Sequence, residues 1–371
     1  MTISSRLLHT KKLLTENSLD AALISSPADI IYLTDFSYFS DIEREAFLLI
    51  TKDKQYIATD GRYSHAVKKY LKNFILLEIT SQKPFEYQLN QIIQKDKILS
   101  LGIETTNITV YEHKKISPLL NKIKHFDLST LRIKKNDQEI VYIRESCKLS
   151  DLAFTYICSK IKAGMTEKIV AFELESYIRK NGADISFPTI VAFGENAAIP
   201  HHHTSNRVLN KNELILIDFG VKIDNYCSDM TRTVFLGKAT SEQKKVYQTV
   251  FNAQQKAIDS INHNLKNNLE INASSIDKVA RDYILQLGYP NIPHSLGHGI
   301  GLQVHESPNL SPKSKDILKN SMVFSIEPGI YLPAGRQGLP DKFGIRIEDL
   351  FSIQNNSLHE LTNSPKNLTE L

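Results

Sequence analysis

The stretch ILIDFGVKIDNYCSDMTRTVF, residues 215–235, constrains this chain more than any other. Its Ile, Leu, Val, Thr, Tyr and Phe content is that of half-buried strands, and Asp224-Asn225 suits a tight turn between them. Asp218 and Asp229 do not fit that environment, because an unpaired carboxylate loses its hydration on burial. A two-residue turn sets Ile223 opposite Tyr226 and, further out, Asp218 opposite Thr231. Side chains alternate with period two, so Asp229 shares the face of Thr231 and hence of Asp218. The two carboxylates become diagonal neighbours, roughly 7–8 Å apart at the backbone. Like charges on a buried face need a proton or a cation between them. On this stretch alone, a solvated face carrying ordinary surface acids is an equal reading, and a bulge would reverse the parity. The same parity puts Cys227 on the opposite face, as packing.

The wider composition narrows the classes. The chain has 371 residues, enough for two domains, with 41% apolar and 23% charged residues. A net charge of +4, with Lys and Arg scattered, gives no footprint for nucleic acid. Cys147, Cys158 and Cys227 form neither a CxxC pair nor an even framework. The opening MTISSRLLHTKKLL reads as a polar helix, and no apolar run approaches the roughly 18 residues of a membrane span. A soluble protein of a reducing cytoplasm is therefore expected.

Organisation follows from periodicity. The first part alternates helical and strand patterns: RLLHTKKLLTENSL helical, AALISS apolar, and AFLLITKDKQYIATDGRY two strands about a Lys-Asp-Lys turn. FILLEI and ILSLGIE are later strands, separated by a helix around 84–95. No glycine-rich phosphate loop occurs. Composition turns polar at LRIKKNDQ, which sets domains of 1–131 and 132–371. Asp137 and Thr166 are expected to cap two helices ended near Gly164 and Gly182. Strands, helices near 241–262 and 275–288, and further strands follow, as in an α+β domain with helices on one face of an antiparallel sheet. The segment LPAGRQGLPDKFG reads as a turn-rich loop, and the last fifteen residues, being polar, are expected to fray.

Polar residues recur inside apolar strands only in this second part. Glu327 lies in MVFSIEPGIYL, Glu348 in FGIRIEDLF, and HSLGHGIGLQVHES carries His294, His298 and His305. The i, i+4 pair His294 and His298 is not a helical zinc site: the Glu of HExxH is missing and Gly297, Gly299 and Gly301 oppose a helix. Glycines beside a histidine more often let the backbone approach a ligand or a neighbouring strand. Asp218, Asp229, Glu327 and Glu348 carry four negative charges that two divalent cations would neutralise, with His298 adding an imidazole. An O/N donor set suits Mn, Fe, Co or Zn. Two such cations can activate a bridging water and polarise a carbonyl. His305 and His201 are candidates for hydrogen bonding or proton transfer around that carbonyl.

The succession GENAAIPHH, IDFG with SDMTRT, HSLGHGIGLQVHE, SIEPGIY and GIRIEDL resembles the pita-bread metallopeptidases, the group of methionine aminopeptidase, Xaa-Pro dipeptidase (prolidase) and Xaa-Pro aminopeptidase. It spans roughly 131–360, and PADIIYLTDF with TDGRY resembles a creatinase-like N-terminal domain. The resemblance implies Asp218, Asp229, His298, Glu327 and Glu348 as ligands of two metal ions, most simply Mn, with Asp229 and Glu348 bridging. It implies a catalytic His305, and a substrate-side His201 acting with Arg346 on the proline end of a peptide. His294 is expected on the substrate side, orienting neighbours by a hydrogen bond rather than ligating; His202 and His203 read as loop residues. The implied activity is hydrolysis between an N-terminal residue and proline by a metal-bridging hydroxide, in a homodimer. An aminopeptidase of other specificity, including methionine removal, and a non-catalytic binding protein of the same fold are the alternatives.

Overall fold

The computed structural model describes residues 2–40, 42–332 and 342–371, so most of the LPAGRQGLPDKFG loop (333–341) lies outside the described residues. The chain divides into two compact units, Met1–Arg132 and Ile133–Leu371.

In the first unit six strands form one sheet in the order Ile75–Ile79, Gln55–Asp60, Ala46–Thr51, Ala21–Ile24, Leu101–Ile103 and Ile123–His125. AALI is buried at every position because neighbours flank it on both sides and both its faces are covered. The Lys-Asp-Lys segment does join two antiparallel strands, with Ile50 opposite Gln55. The stretch PADIIYLT is a helix, opened by Pro27 and ended by Asp35 in the left-handed region. Asp60 of TDGRY caps the next helix by accepting the Arg62 N–H.

One polar cluster is sealed inside this unit. The Glu104 carboxylate accepts from the Ser25 and Ser26 N–H groups (2.5 and 2.7 Å) and the Ser25 hydroxyl (3.0 Å), just before the helix Pro27–Thr34. Asp29 of that helix pairs with Arg132 (2.7 Å). Burial, then the hydrogen bond and charge of Asp29, push the Glu104 carboxyl up to about 8.

The second unit is α+β. Helix Asp137–Lys160 is capped by Asn136, one residue before the expected Asp137, because Asn136 and Glu139 complete a reciprocal capping box. That helix ends at Lys160, ahead of Gly164, whose φ of +88° instead serves the turn into helix Glu167–Lys180, capped by Thr166 as expected. Helices Ser241–Lys266 and Ala273–Gln286 follow.

A four-stranded sheet runs Thr369–Glu370, Met230–Leu236, Glu213–Phe219, Ile190–Phe193. Ile215, Ile217, Phe219, Met230 and Val234 join the core of the first two helices; Leu214, Leu216 and Phe235 join that of the last two. Apolar cores therefore line both faces, not one, and this explains the nearly continuous apolar run ELILIDF. Asp218 falls on the face of Leu214 and Leu216. The C-terminus is not frayed: Thr369–Glu370 pairs in parallel with Val234–Phe235, and Leu371 donates to Phe235 O. A five-stranded sheet runs Glu306–Leu310, Gly297–Gly299, Val323–Ile326, Asp349–Gln354, Ser357–Glu360, and Gly329–Leu332 pairs with Phe343–Arg346. No helix among the described residues is long and apolar enough to cross a membrane.

Glu104 generates a prediction with a definite sign. Its folded value exceeds the ordinary 4.5, so the stabilisation from its protonated form is full below 4.5 and is lost as pH rises through about 8. Hydrogen exchange over 25–34, corrected for intrinsic rate, should show protection falling across that window. Glu104→Gln, which stays neutral, should flatten the dependence; an unchanged slope would exclude Glu104 as its source.

Candidate metal centre

The hairpin has the expected parity. Asp224 and Asn225 both have positive φ (+47° and +70°), the conformation of a tight two-residue turn. Ile223 opposes Tyr226, and Asp218 opposes Thr231, with no bulge between. At Gly220 a Cβ would lie 2.0 Å from the Ser228 carbonyl, so only glycine allows the strands this approach. Cys227 is buried in an apolar cluster.

The second sheet supplies the remaining groups. His298 stands in the strand Gly297–Gly299, where a Cβ on Gly297 would meet the Ser325 carbonyl at 2.0 Å. The glycines thus serve strand contact, in agreement with the expectation against a helix. Glu327 follows the strand Val323–Ile326; Glu348 lies between Arg346 and Asp349, its N–H donating to Thr231 O (3.1 Å). That bond docks the segment of Glu348, between those two strands, on the Asp229 hairpin.

His298 Nδ1 lies 3.1 Å from the Gly299 carbonyl, which can only accept, so Nδ1 carries the proton and Nε2 keeps its lone pair. Nε2 then lies 3.4 Å from Glu327, 3.6 Å from Asp229 and 3.9 Å from Glu348. One ligand atom each of Asp229, His298 and Glu348 lie within 4.8 Å of one another. A lone pair facing carboxylates lacks any attraction unless a proton or cation intervenes. Asp218 Oδ1, Asp229 Oδ1 and Glu348 Oε1 are buried without a hydrogen-bond partner. These orphaned oxygens fit a divalent cation, which would satisfy several at once.

Electrostatics agree. Burial, then the charges of Glu348, Asp218 and Glu327, push Asp229 well above the carboxylate range. Burial and Glu348 do the same to Glu327; burial and Asp218 bring Glu348 up to about 8. His298 falls to about 4 through burial and the neighbouring His305, so its imidazole is neutral, the form that ligates.

Arg346 is buried beside these groups. It donates to Asp218 Oδ2 (2.6 Å), Thr231 Oγ1 (3.0 Å), Tyr331 Oη (2.8 Å) and the Pro200 carbonyl (3.3 Å). Thr231 in turn donates to Glu348 (2.8 Å). Tyr331 lies 2.9 Å from His294 Nε2, and His294 Nδ1 lies 2.8 Å from the Ser295 carbonyl. Both nitrogens of His294 thus face the protein, which suits orientation and leaves no nitrogen for direct substrate contact. Burial, then Arg346, depress His294 to about 4. His305 sits exposed with its ring 4.5 Å from that of His298. Burial of part of its ring and then His201 lower it, and His201 also contributes to lowering His294, so exposed His201 stands within electrostatic reach of both.

Three contributors escaped the sequence reading. Tyr331 and Thr231 pass as ordinary strand residues, and only tertiary contacts give them partners. His202, read as a loop residue, lies 2.9 Å from the buried Glu167 carboxylate. Beneath the site, Arg232 is buried against Asp349 (2.5 Å) and donates to the Glu348 carbonyl (2.6 Å).

Comparison with known proteins adds independent findings. Residues 141–355 match the model of metallopeptidase family M24, and residues 6–134 match that of the creatinase/prolidase N-terminal domain. An uncharacterised peptidase of Bacillus subtilis is 32% identical over 96% of this chain and 98% of its own. An Xaa-Pro dipeptidase of Pyrococcus furiosus is 30% identical over 99% of this chain and 100% of its own. The crystal structure of an X-Pro aminopeptidase from Thermotoga maritima superposes with a TM-score of 0.85 at 32% identity, covering 98% of this chain and 99% of its own. The architecture is therefore a creatinase-type N-terminal domain followed by a pita-bread domain.

The geometry predicts the effect of removing one carboxylate. Asp229→Ala should weaken divalent-cation affinity by at least about 10–100-fold, the loss known even for groups that only support ligands. Elemental analysis after dialysis, with circular dichroism confirming the fold, measures it; undiminished metal would remove Asp229 from the centre.

Proposed function

The chain belongs to metallopeptidase family M24, and from that premise we propose that it hydrolyses the peptide bond between an N-terminal residue and proline. The observation that carries the hydrolytic part of this reading is the convergence of four carboxylates and one neutral imidazole, with three carboxylate oxygens lacking partners. The similarity to an Xaa-Pro dipeptidase and an X-Pro aminopeptidase supports the proline part. Asp218, Asp229, His298, Glu327 and Glu348 would hold two divalent ions, because four negative charges in one buried cluster call for about that much compensation. Manganese suits the O/N donor set, as do Co, Zn and Fe. Bound there, the ions supply Lewis-acid polarisation of the scissile carbonyl and a nucleophilic water at neutral pH.

The chain's own residues do the rest. His305, depressed below its ordinary value, is neutral at pH 7 and presents one N–H for the carbonyl oxygen as charge develops on it. His201 faces the proline end of the peptide. Arg346, with donors committed to Asp218, Tyr331, Thr231 and Pro200, fixes the carboxylate of Asp218 and the loop before His201. It acts through these groups, whereas the resemblance implied that it works beside His201 on the proline end of the peptide. The Xaa-Pro bond has no N–H and a fixed φ, so a site that recognises proline must do so by ring shape and flanking charge.

Two expectations follow. The manganese-loaded enzyme should cleave Ala-Pro and Ala-Pro-Ala, and both faster than Met-Ala; faster release of methionine would give the site to a general aminopeptidase. His305→Ala should keep its metal while turnover drops by about 10²–10³-fold, the loss typical of one transition-state donor. A metal-free variant would instead make His305 a ligand.

A further inference from the structure

Outside the carboxylate cluster, Glu167 is a heavily bonded acidic side chain of the second unit. It opens the helix Glu167–Lys180, is fully buried, and accepts five hydrogen bonds. Its Oε1 takes the Phe193 N–H (2.8 Å) and the Asn196 amide (2.8 Å). Its Oε2 takes His202 Nε2 (2.9 Å), the Ser205 N–H (2.8 Å) and the Ser205 hydroxyl (2.6 Å). Burial alone would raise this carboxyl; hydrogen bonds from Ser205, His202, Phe193 and Asn196 outweigh it and hold Glu167 below the ordinary carboxylate range.

Every one of these donors lies between Phe193 and Ser205, the stretch that carries His201. The anchors close on His201 from both sides. Its successor His202 is tied to Glu167; the carbonyl of its predecessor, Pro200, accepts from Arg346 (3.3 Å), which also holds Asp218. The loop presses on the strand behind it as well, since a Cβ at Gly344 would lie 2.0 Å from the Ala197 carbonyl. With both flanking residues fixed, the backbone of His201 is fixed, although its side chain is exposed.

We propose that Glu167 is a positioning residue for hydrolysis: through His202, Asn196 and Ser205 it sets where His201 meets the substrate. This rests on the reading of His201 as a substrate-side group, and it assigns His202 to the positioning of its neighbour.

The test is a mutant cycle measured on whichever of Ala-Pro, Ala-Pro-Ala or Met-Ala the metal-loaded wild type cleaves fastest, so failure of the proline reading is separable from failure here. Glu167→Gln should lower kcat/KM by up to about 10²-fold, the scale of a small misplacement of a substrate-contacting group, mainly through KM. In a His201→Ala background the same substitution should cost less than about 2-fold, whereas a general loss of structure would cost as much there as in wild type. Because Glu167→Gln risks misfolding, His202→Ala and His202→Gln form a second arm. The alanine should reproduce the KM effect, and the glutamine, whose amide can donate at similar reach, should restore it. Hydrogen exchange of the metal-free protein should quicken over 193–205 in Glu167→Gln and His202→Ala. Additive losses in the His201→Ala background, or equal kinetics for His202→Ala and wild type, would overturn the proposal.

Discussion

Burying several carboxylates around one imidazole lone pair is the constraint on which the catalytic unit depends. Burial and the charges of their acidic neighbours raise Asp229, Glu327 and Glu348, with Glu348 acting on Asp229 and Glu327 and Asp218 acting on all three. His298 Nε2 meets them without a proton of its own. Such a cluster opposes folding unless something positive enters, since each buried charge forfeits hydration worth several kcal/mol. Arg346, the positive charge buried beside the cluster, pairs directly with Asp218 at 2.6 Å. The remaining deficit is the physical basis for a cation site, and it ties stability of this unit to metal loading.

The scaffold supports the cluster by bringing backbones unusually close. Gly220 and Gly297 each sit where a Cβ would come within 2.0 Å of a carbonyl oxygen. Below, Arg232 and Asp349 form a buried pair, and Arg232 also holds the carbonyl of Glu348. The result is that the backbone of Glu348, one of the residues proposed to hold a cation, is held at both its N–H and its carbonyl. Away from the carboxylates the same logic holds with different chemistry: Glu167 fixes one loop with five accepted bonds, and Tyr331 links His294 to Arg346.

Much of this was legible in the chain because strand periodicity is local. The turn at Asp224-Asn225 and the alternation on either side placed Asp218 and Asp229 on one face, and the absence of a bulge kept that parity. Glycines around His298 argued against a helix for a steric reason that the strand contact at Ser325 bears out. Local cues failed where two candidates lay side by side or where partners were remote. Asn136 displaced Asp137 as a cap because Glu139 could close the box. The polar C-terminal tail looked free, yet it found an open strand edge beside Val234 and Phe235.

The sequence by itself determined the hairpin, its parity, and the set of residue types able to hold cations, since these depend on chain geometry over a few residues. Only the tertiary structure decided which groups face them. Arg346 turning to Asp218 rather than to its sequence neighbour Glu348, Tyr331 bridging to His294, and Glu167 capturing His202 join residues 35 to 128 positions apart. No periodicity encodes such contacts. They arise when sheets dock and leave buried polar atoms whose hydrogen bonds must be met by whatever the packing has brought within reach.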